Sequence, residues 1–182
     1  ITSDASGPVN GAVTFRFTFT EPVSGFTAAD VQLSAGAPGA FTGGDGATVY
    51  TLVVTPPPGS AGSFTVGVPA GVAEDAAGNP NTAASPVSQQ YDREAPAPTI
   101  ALPGGTASGP FPVTISFNEA VTGFSPADVQ VSGGAAASAF SGGNGTTTFV
   151  LRVTPEDDTT GNVSISVPPG AAVDAAGNPS VA

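Results

Sequence analysis

An all-β fold with two tandem β-sandwich modules is predicted by three features of this 182-residue sequence. The first is an internal repeat, in which residues 19–80 return as residues 117–179. The second is a regular alternation of apolar and polar residues, the period of a strand with one buried face. The third is the Gly-rich punctuation between these runs. A repeat with the length of a small domain indicates tandem modules, because solenoid units are only about 20 to 50 residues long.

The alternating runs place the strands of each copy. In the first copy they are residues 13–19, 31–33, 49–54 and 64–68, and in the second 113–117, 129–131, 149–153 and 163–167. The GGDG and GGNG segments between them are typical of hairpin turns. About seven short strands in a module of this size favour an antiparallel Greek-key sandwich of immunoglobulin type.

No amphipathic helix longer than one turn is predicted, but two helical turns are. Ser125-Pro-Ala-Asp128 has the spacing of a capping box with Pro at the first helical position, and Thr27-Ala-Ala-Asp30 repeats the spacing without the proline. Asp30 and Asp128 are therefore interpreted as capping acids and not as ligands.

The repeat also sets the domain boundaries. We predict a first module at residues 1–92, a proline-containing linker at 93–98 and a second module at 99–182. Two prolines separated by one residue make a short, extended and semi-rigid connector. The second copy has no counterpart of residues 84–92, so its sandwich is predicted to lack the last strand and to leave an unpaired edge. Residues 156–158 add an acidic loop, interpreted as solvated, that the first copy does not have.

Composition excludes several functions. Fourteen acidic residues against three basic ones give a net charge of −11, which repels phosphate backbones and argues against nucleic-acid binding. The same charge attracts divalent cations. No apolar run approaches the length of a membrane span. Histidine and cysteine are absent, so Ser-His or Cys-His nucleophiles and the usual zinc sites are excluded. The chain is predicted not to be an enzyme.

The ordered motifs carry a family resemblance. F-x-E-x-V-x-G-F-x-x-x-D-V, then V-P-x-G, then D-A-A-G-N-P occur in this order in both copies, and they resemble the bacterial immunoglobulin-like repeats of large secreted surface adhesins. The resemblance implies a β-sandwich, an extracellular location on the bacterial cell surface, and a role as a repeated spacer. It also implies that neighbouring repeats are the direct partners, that a host or surface receptor is engaged by other parts of the parent protein, and that Ca²⁺ stiffens the joints.

Hard oxygen ligands for Ca²⁺ are available where the chain enters the second module. In an immunoglobulin topology the loop after the second strand and the loop before the last strand lie at that end. Ca²⁺ takes six to eight oxygens, which acids from three separate segments can supply. We predict a metal site at the module junction that uses Asp92, Glu94, Glu119 and Asp174, with Asn178 as a further carbonyl ligand.

Simpler interpretations of these acids stay open. D-A-A-G-N-P is also a turn sequence, in which Asp75 or Asp174 bonds its own backbone, Gly supplies a positive φ and Pro ends the turn. An alternative interpretation of Glu21 and Glu119 is that they are solvated residues at the ends of strands. The first copy offers Glu21, Asp75 and Asn79 without linker acids, and is expected to bind a cation poorly.

Two functions follow from the sequence. The first is a structural spacer, a stalk module of an exported bacterial adhesin that Ca²⁺ stiffens at the joint. The alternative is an extracellular accessory module that binds a ligand or carbohydrate. A sugar-binding surface normally exposes aromatic side chains, whereas this chain has no Trp and only Tyr50 and Tyr91 beside its 11 Phe. The loops of the two copies are also similar, which favours the spacer.

Overall fold

The chain folds into two compact units, Ile1–Glu94 and Ala95–Ala182. The computed structural model describes residues 1–133, 135–157 and 160–182. The boundary between the units falls within the segment predicted as linker, and strand structure resumes at Pro98. Asp158 of the predicted acidic loop lies outside the described residues.

The first module is a sandwich of two antiparallel sheets. One sheet has the order β1-β2-β5-β4, with β7 also paired to β2, and the other has the order β3-β6-β8. In immunoglobulin notation these are the A-B-E-D and C-F-G sheets of a constant-type domain. The strands are β1 (Thr2–Ser3), β2 (Val13–Ser24), β3 (Gln32–Leu33), β4 (Ala37–Thr42), β5 (Ala47–Thr55), β6 (Ala61–Val68), β7 (Glu74–Asp75) and β8 (Ala84–Asp92).

The second module repeats the larger sheet and shortens the smaller one. Its sheets have the orders β12-β13-β10-β9 and β11-β14. The strands are β9 (Pro98–Ala101), β10 (Phe111–Val121), β11 (Gln130–Val131), β12 (Ala136–Ser141), β13 (Thr146–Thr154) and β14 (Ile165–Ser166). Among the described residues no strand corresponds to β8, as predicted. Within the described residues β14 pairs with β11 alone, and it is shorter than the alternation over residues 163–167 predicts.

Each module has its own apolar core, formed by the predicted inward-facing residues. In the first module Phe15 and Leu52 are fully buried, and in the second Val113 and Leu151 are their counterparts. An aromatic cluster covers one end of each core. Phe26 makes edge contacts with Phe17, Phe19 and Tyr50, and Phe124 contacts Phe117 and Phe149 in the same way.

Short 3-10 turns precede the smaller sheet in both modules, and the predicted capping boxes are confirmed. The turns span Ala28–Asp30 and Pro126–Asp128. Asp30 Oδ2 accepts hydrogen bonds from the backbone nitrogen and the hydroxyl of Thr27 at 2.8 and 2.7 Å. Asp128 does the same for Ser125 at 2.9 and 2.7 Å. These two acids therefore serve as caps.

Both ends of the first module are joined by a short parallel bridge between Val9 and Tyr91. The Val9 nitrogen donates to the Gln90 carbonyl at 3.2 Å, and the Asp92 nitrogen donates to the Val9 carbonyl at 3.0 Å. Beside them the buried Gln89 side chain donates to the Gly7 carbonyl at 2.8 Å. Residues near the start of the module are thereby tied to the strand that ends it.

Candidate metal centre

The D-A-A-G-N-P segments form the same turn in both modules. Asp174 Oδ1 accepts a hydrogen bond from the Asn178 nitrogen at 2.8 Å, and Oδ2 accepts one from the Asn178 side-chain nitrogen at 2.7 Å. Asp75 accepts the same two bonds from Asn79 at the same distances. Glycine is needed between the acid and the amide, because Gly177 has a φ of 88°. The predicted Asx turn is thus present, and it fixes the direction of the Asp174 carboxylate.

Glu119 lies near the end of β10, where the pairing with β13 changes register between Ser116 and Val121. Such irregularities bend a strand and redirect its side chains. The side chain is half-buried, and its Oε1 atom is shielded from solvent. Two backbone hydrogen bonds between Thr122 and Val173, of 2.7 and 3.0 Å, hold the Asp174 turn against this end of β10. Glu119 and Asp174 are therefore positioned by backbone pairing within one module.

Asp92 is the last residue of β8, where it pairs with Ala61. Its Oδ1 atom accepts a hydrogen bond from the Glu94 nitrogen at 3.1 Å. This i to i+2 bond is an Asx turn, which bends the chain directly after the strand. Asp92 is half-buried, whereas Glu94 is exposed.

Three of the five predicted ligands come together. Asp92, Glu119 and Asp174 each present a carboxylate oxygen, and these three oxygens lie within 4.8 Å of one another. Ligand oxygens on opposite sides of a Ca²⁺ ion are about 5 Å apart, since each Ca–O distance is roughly 2.5 Å. The spacing and the hard carboxylate donors therefore fit Ca²⁺, and a cation would relieve the repulsion among three clustered negative charges.

The remaining two predicted ligands are Glu94 and Asn178. The Glu94 carboxylate is not part of the three-residue group found among the described residues. Asn178 is 9% exposed, and its side-chain nitrogen donates to Asp174 and orients that carboxylate. The role of the Asn178 carbonyl as a metal ligand stays a prediction. Asn118 was not among the predicted residues, and its Oδ1 atom accepts a hydrogen bond from the Ala97 nitrogen at 2.7 Å. Its only signal was a polar residue beside Glu119 at a strand end.

The first module holds the same turn without a three-acid cluster among the described residues. Glu21 and Asn79 are exposed and Asp75 is half-buried, whereas Asp174 is only 4% exposed. The two modules therefore provide an internal comparison: one Asx turn belongs to a group of three acids, and the other belongs to no such group among the described residues.

Hydrogen bonding makes the Asp75 turn sensitive to acid. The side-chain amide of Asn79, followed by its backbone nitrogen and that of Ala77, lowers the pKa of Asp75 below its ordinary value. A carboxyl with a lowered folded-state pKa contributes stability above its unfolded pKa, near 4, and that contribution is lost as pH falls through the folded value. An NMR titration of the Asp75 side-chain carbon is therefore expected to show a midpoint below that of the unfolded chain. Equal midpoints would mean that the turn bonds are absent in solution.

The sequence was compared with known protein families, and the matches coincide with the two copies of the internal repeat. A bacterial Ig-like domain family matches residues 1–91 and again residues 92–182. This chain belongs to the bacterial Ig-like domain family. The second match begins at Asp92, so all three clustered acids of this family member lie in the second matched segment. Among curated proteins none matches the chain. In the part of this Ig-like chain that the structure describes, no helix has the length and apolar character needed to cross a membrane.

Proposed function

We propose that this pair of bacterial Ig-like domains is a spacer unit of an exported surface adhesin, and that Ca²⁺ bound by Asp92, Glu119 and Asp174 stiffens the joint between the modules. The observation that supports the metal site in this proposal is the close approach of the three carboxylates. The cation would link the end of β8 to two loops of the following module. Tandem repetition supports the spacer part, since repeated modules extend a chain in proportion to their number.

The alternative of a carbohydrate-binding module has less support. Stacking on sugars uses exposed aromatic rings, yet Tyr50 and Tyr91 are only 1% and 9% exposed. Most of the phenylalanines belong to the two cores or pack against them. The side chains that such a binder would use are therefore mostly occupied in packing.

Calcium removal tests the metal part of the proposal. Because an ion that binds only the folded state stabilises it by RT ln(1 + [L]/Kd), a hundredfold excess over Kd contributes about 2.7 kcal/mol. The melting temperature in millimolar Ca²⁺ is therefore expected to exceed that in EDTA by several degrees. Scattering should show a narrower range of interdomain distances when Ca²⁺ is added.

The repeat supplies a matched control for this experiment. Asp174→Asn removes a clustered carboxylate and is expected to abolish the calcium response. Asp75→Asn alters the equivalent turn outside the cluster, so it should lower stability without changing the response to Ca²⁺. Superimposed melting curves of the wild-type chain in Ca²⁺ and EDTA would contradict the proposed site. A normal calcium response in Asp174→Asn would contradict the assignment of that ligand.

A further inference from the structure

The chain contains the Asn-Gly dipeptide at two places, Asn10-Gly11 and Asn144-Gly145. In this dipeptide the glycine backbone nitrogen can attack the side-chain carbonyl carbon of the asparagine, because glycine has no Cβ atom to crowd the approach. A carbon–nitrogen bond forms, and the amide group leaves as ammonia with the glycine N–H proton. Water then opens the cyclic succinimide to isoaspartate or aspartate. Both asparagines are exposed, so access to water does not distinguish the two places.

The turn around Asn144 holds both of the groups that would react. Asn144 Oδ1 accepts a hydrogen bond from the Gly123 nitrogen at 3.0 Å, and the Gly145 nitrogen donates to the Val121 carbonyl at 2.8 Å. Val121 is a fully buried core residue and the last residue of β10. Ring closure must break both bonds, because the Gly145 nitrogen has to leave the Val121 carbonyl and approach the asparagine side chain.

The first module repeats this turn with an acid in place of the amide. Asp45 Oδ1 accepts from the Gly25 nitrogen at 3.0 Å, and the Gly46 nitrogen donates to the Val23 carbonyl at 2.8 Å. The side chain is used only as an acceptor in this bond, and asparagine and aspartate both offer an acceptor oxygen. The two bonds therefore belong to the turn itself and occur in both modules.

Asn10 has neither of these restraints. It lies in the segment between β1 and β2. Among the described residues, no hydrogen bond is made by the Asn10 side chain or by the Gly11 nitrogen. Ser108 occupies the matched position of the second module, so the fold does not need asparagine there. The Asn10 side chain can therefore approach the Gly11 nitrogen without breaking a hydrogen bond of the folded module.

We propose that Asn10 is a site of spontaneous covalent modification, at which the chain converts to isoaspartate and aspartate, and that its turn protects Asn144 from the same reaction. Water is the only co-reactant and ammonia the only product released. The modification adds one negative charge to the chain. In isoaspartate the main chain also runs through the side chain, which lengthens it by one carbon atom.

The modified residue adjoins the bridge that joins both ends of the first module. The Val9 nitrogen donates to the Gln90 carbonyl at 3.2 Å, and the Val9 carbonyl accepts from the Asp92 nitrogen at 3.0 Å. An additional main-chain carbon directly after Val9 changes the path of the chain at this pair of bonds. Isoaspartate at this position is therefore expected to lower the melting temperature of the first module by a few degrees.

Incubation of the complete chain in mildly alkaline buffer with EDTA tests the inference, since base promotes loss of the glycine N–H proton. Trypsin cleaves after arginine, at Arg16, Arg93 and Arg152, and so places Asn10 and Asn144 in different peptides. Mass spectrometry with fragmentation then measures conversion at each asparagine. In the folded chain we expect Asn10 to convert at least about tenfold faster than Asn144, because two hydrogen bonds must first break at Asn144.

The same incubation in denaturant separates the effect of the fold from that of the sequence. There the order should disappear or reverse, with Asn144 converting at least as fast as Asn10. The reason is local, because the β-branched Val9 crowds Asn10 whereas Gly143 leaves Asn144 open. Enzymatic methylation of isoaspartyl residues would identify the lengthened product.

Two variants that borrow residues from the opposite module serve as controls. Asn10→Ser introduces the residue of the second module, and is expected to abolish conversion in the first tryptic peptide and to keep the melting temperature constant during incubation. Asn144→Asp introduces the residue of the first module, and should leave both the turn and the rate at Asn10 unchanged.

Equal rates at the two asparagines of the folded chain would overturn the inference, and so would conversion of Asn10 only after denaturation. An unchanged ratio in denaturant would also overturn it, since the sequence alone would then set the rates. Conversion at Asn10 without a lower melting temperature would keep the site and refute its effect on the bridge. All incubations contain EDTA, so their outcome does not depend on whether the chain binds Ca²⁺.

Discussion

Gly43→Ala is expected to destabilise the first module by about 2 to 5 kcal/mol, through backbone strain and overpacking together. Gly43 directly follows β4 and has a φ of 113°, which an L-residue rarely adopts. A Cβ atom there would overlap Cδ1 of the buried Tyr50 ring and lie 2.8 and 2.9 Å from its Cγ and Cε1 atoms. The ring cannot retreat easily, because its hydroxyl lies 2.9 Å from the carbonyl oxygens of both Val23 and Gly44.

The neighbouring residue is the control for this variant. A Cβ at Gly44 meets no atom within 4 Å, so Gly44→Ala should change stability by less than about 1 kcal/mol. Urea unfolding followed by near-ultraviolet circular dichroism of tyrosine would measure both variants. Equal midpoints for Gly43→Ala and Gly44→Ala would contradict the close approach of this backbone to the ring.

Asn81→Ala is expected to cost about 2 to 4 kcal/mol, because one side chain satisfies four backbone groups. Its Oδ1 atom accepts from the Val72 and Ala73 nitrogens at 2.8 and 2.9 Å. Its Nδ2 atom donates to the Pro69 and Thr82 carbonyls at 2.8 and 2.9 Å. Alanine would leave these groups to find water inside a partly buried loop.

The second module provides the comparison for Asn81. Ser180 occupies the matched position, and its hydroxyl oxygen accepts a hydrogen bond from the Ala172 backbone nitrogen at 3.2 Å. Ser180→Ala is therefore expected to cost about 1 kcal/mol, and Asn81→Ser should lie between the two alanine variants. Calorimetry that resolves the two modules would measure each change. A smaller loss for Asn81→Ala than for Ser180→Ala would show that the loop is held by other contacts.

The fold was predictable where local pattern and global packing agree. Alternation at Val13, Phe15 and Phe17 places three buried side chains on one face, and all three are core residues. The alternation pattern overestimated strand length where a strand depends on a partner far along the chain. Residues 163–167 alternate between apolar and polar side chains, yet only Ile165–Ser166 forms a strand. These are the two residues that pair with β11, and a strand needs such a paired segment beside it.

The candidate site was predictable from topology but not from linker composition. Glu119 and Asp174 lie in loops that an immunoglobulin topology brings to one end, and their carboxylates do lie close together. Asp92 and Glu94 are both acids of the linker region, so the sequence predicts both of them equally as ligands. The Asx turn at Asp92 is a local hydrogen bond that no spacing rule reveals, and in the structure Asp92 is half-buried whereas Glu94 is exposed.

The bridge between Val9 and Tyr91 has a mechanical consequence. Because the paired segments run parallel and lie near opposite ends of one module, tension applied to both ends slides them past each other. The backbone bonds of Val9 and the Gln89 contact with Gly7 then carry the load side by side, and must rupture together instead of peeling one by one. The module therefore resists extension through these bonds in addition to the pairing of β1 with β2.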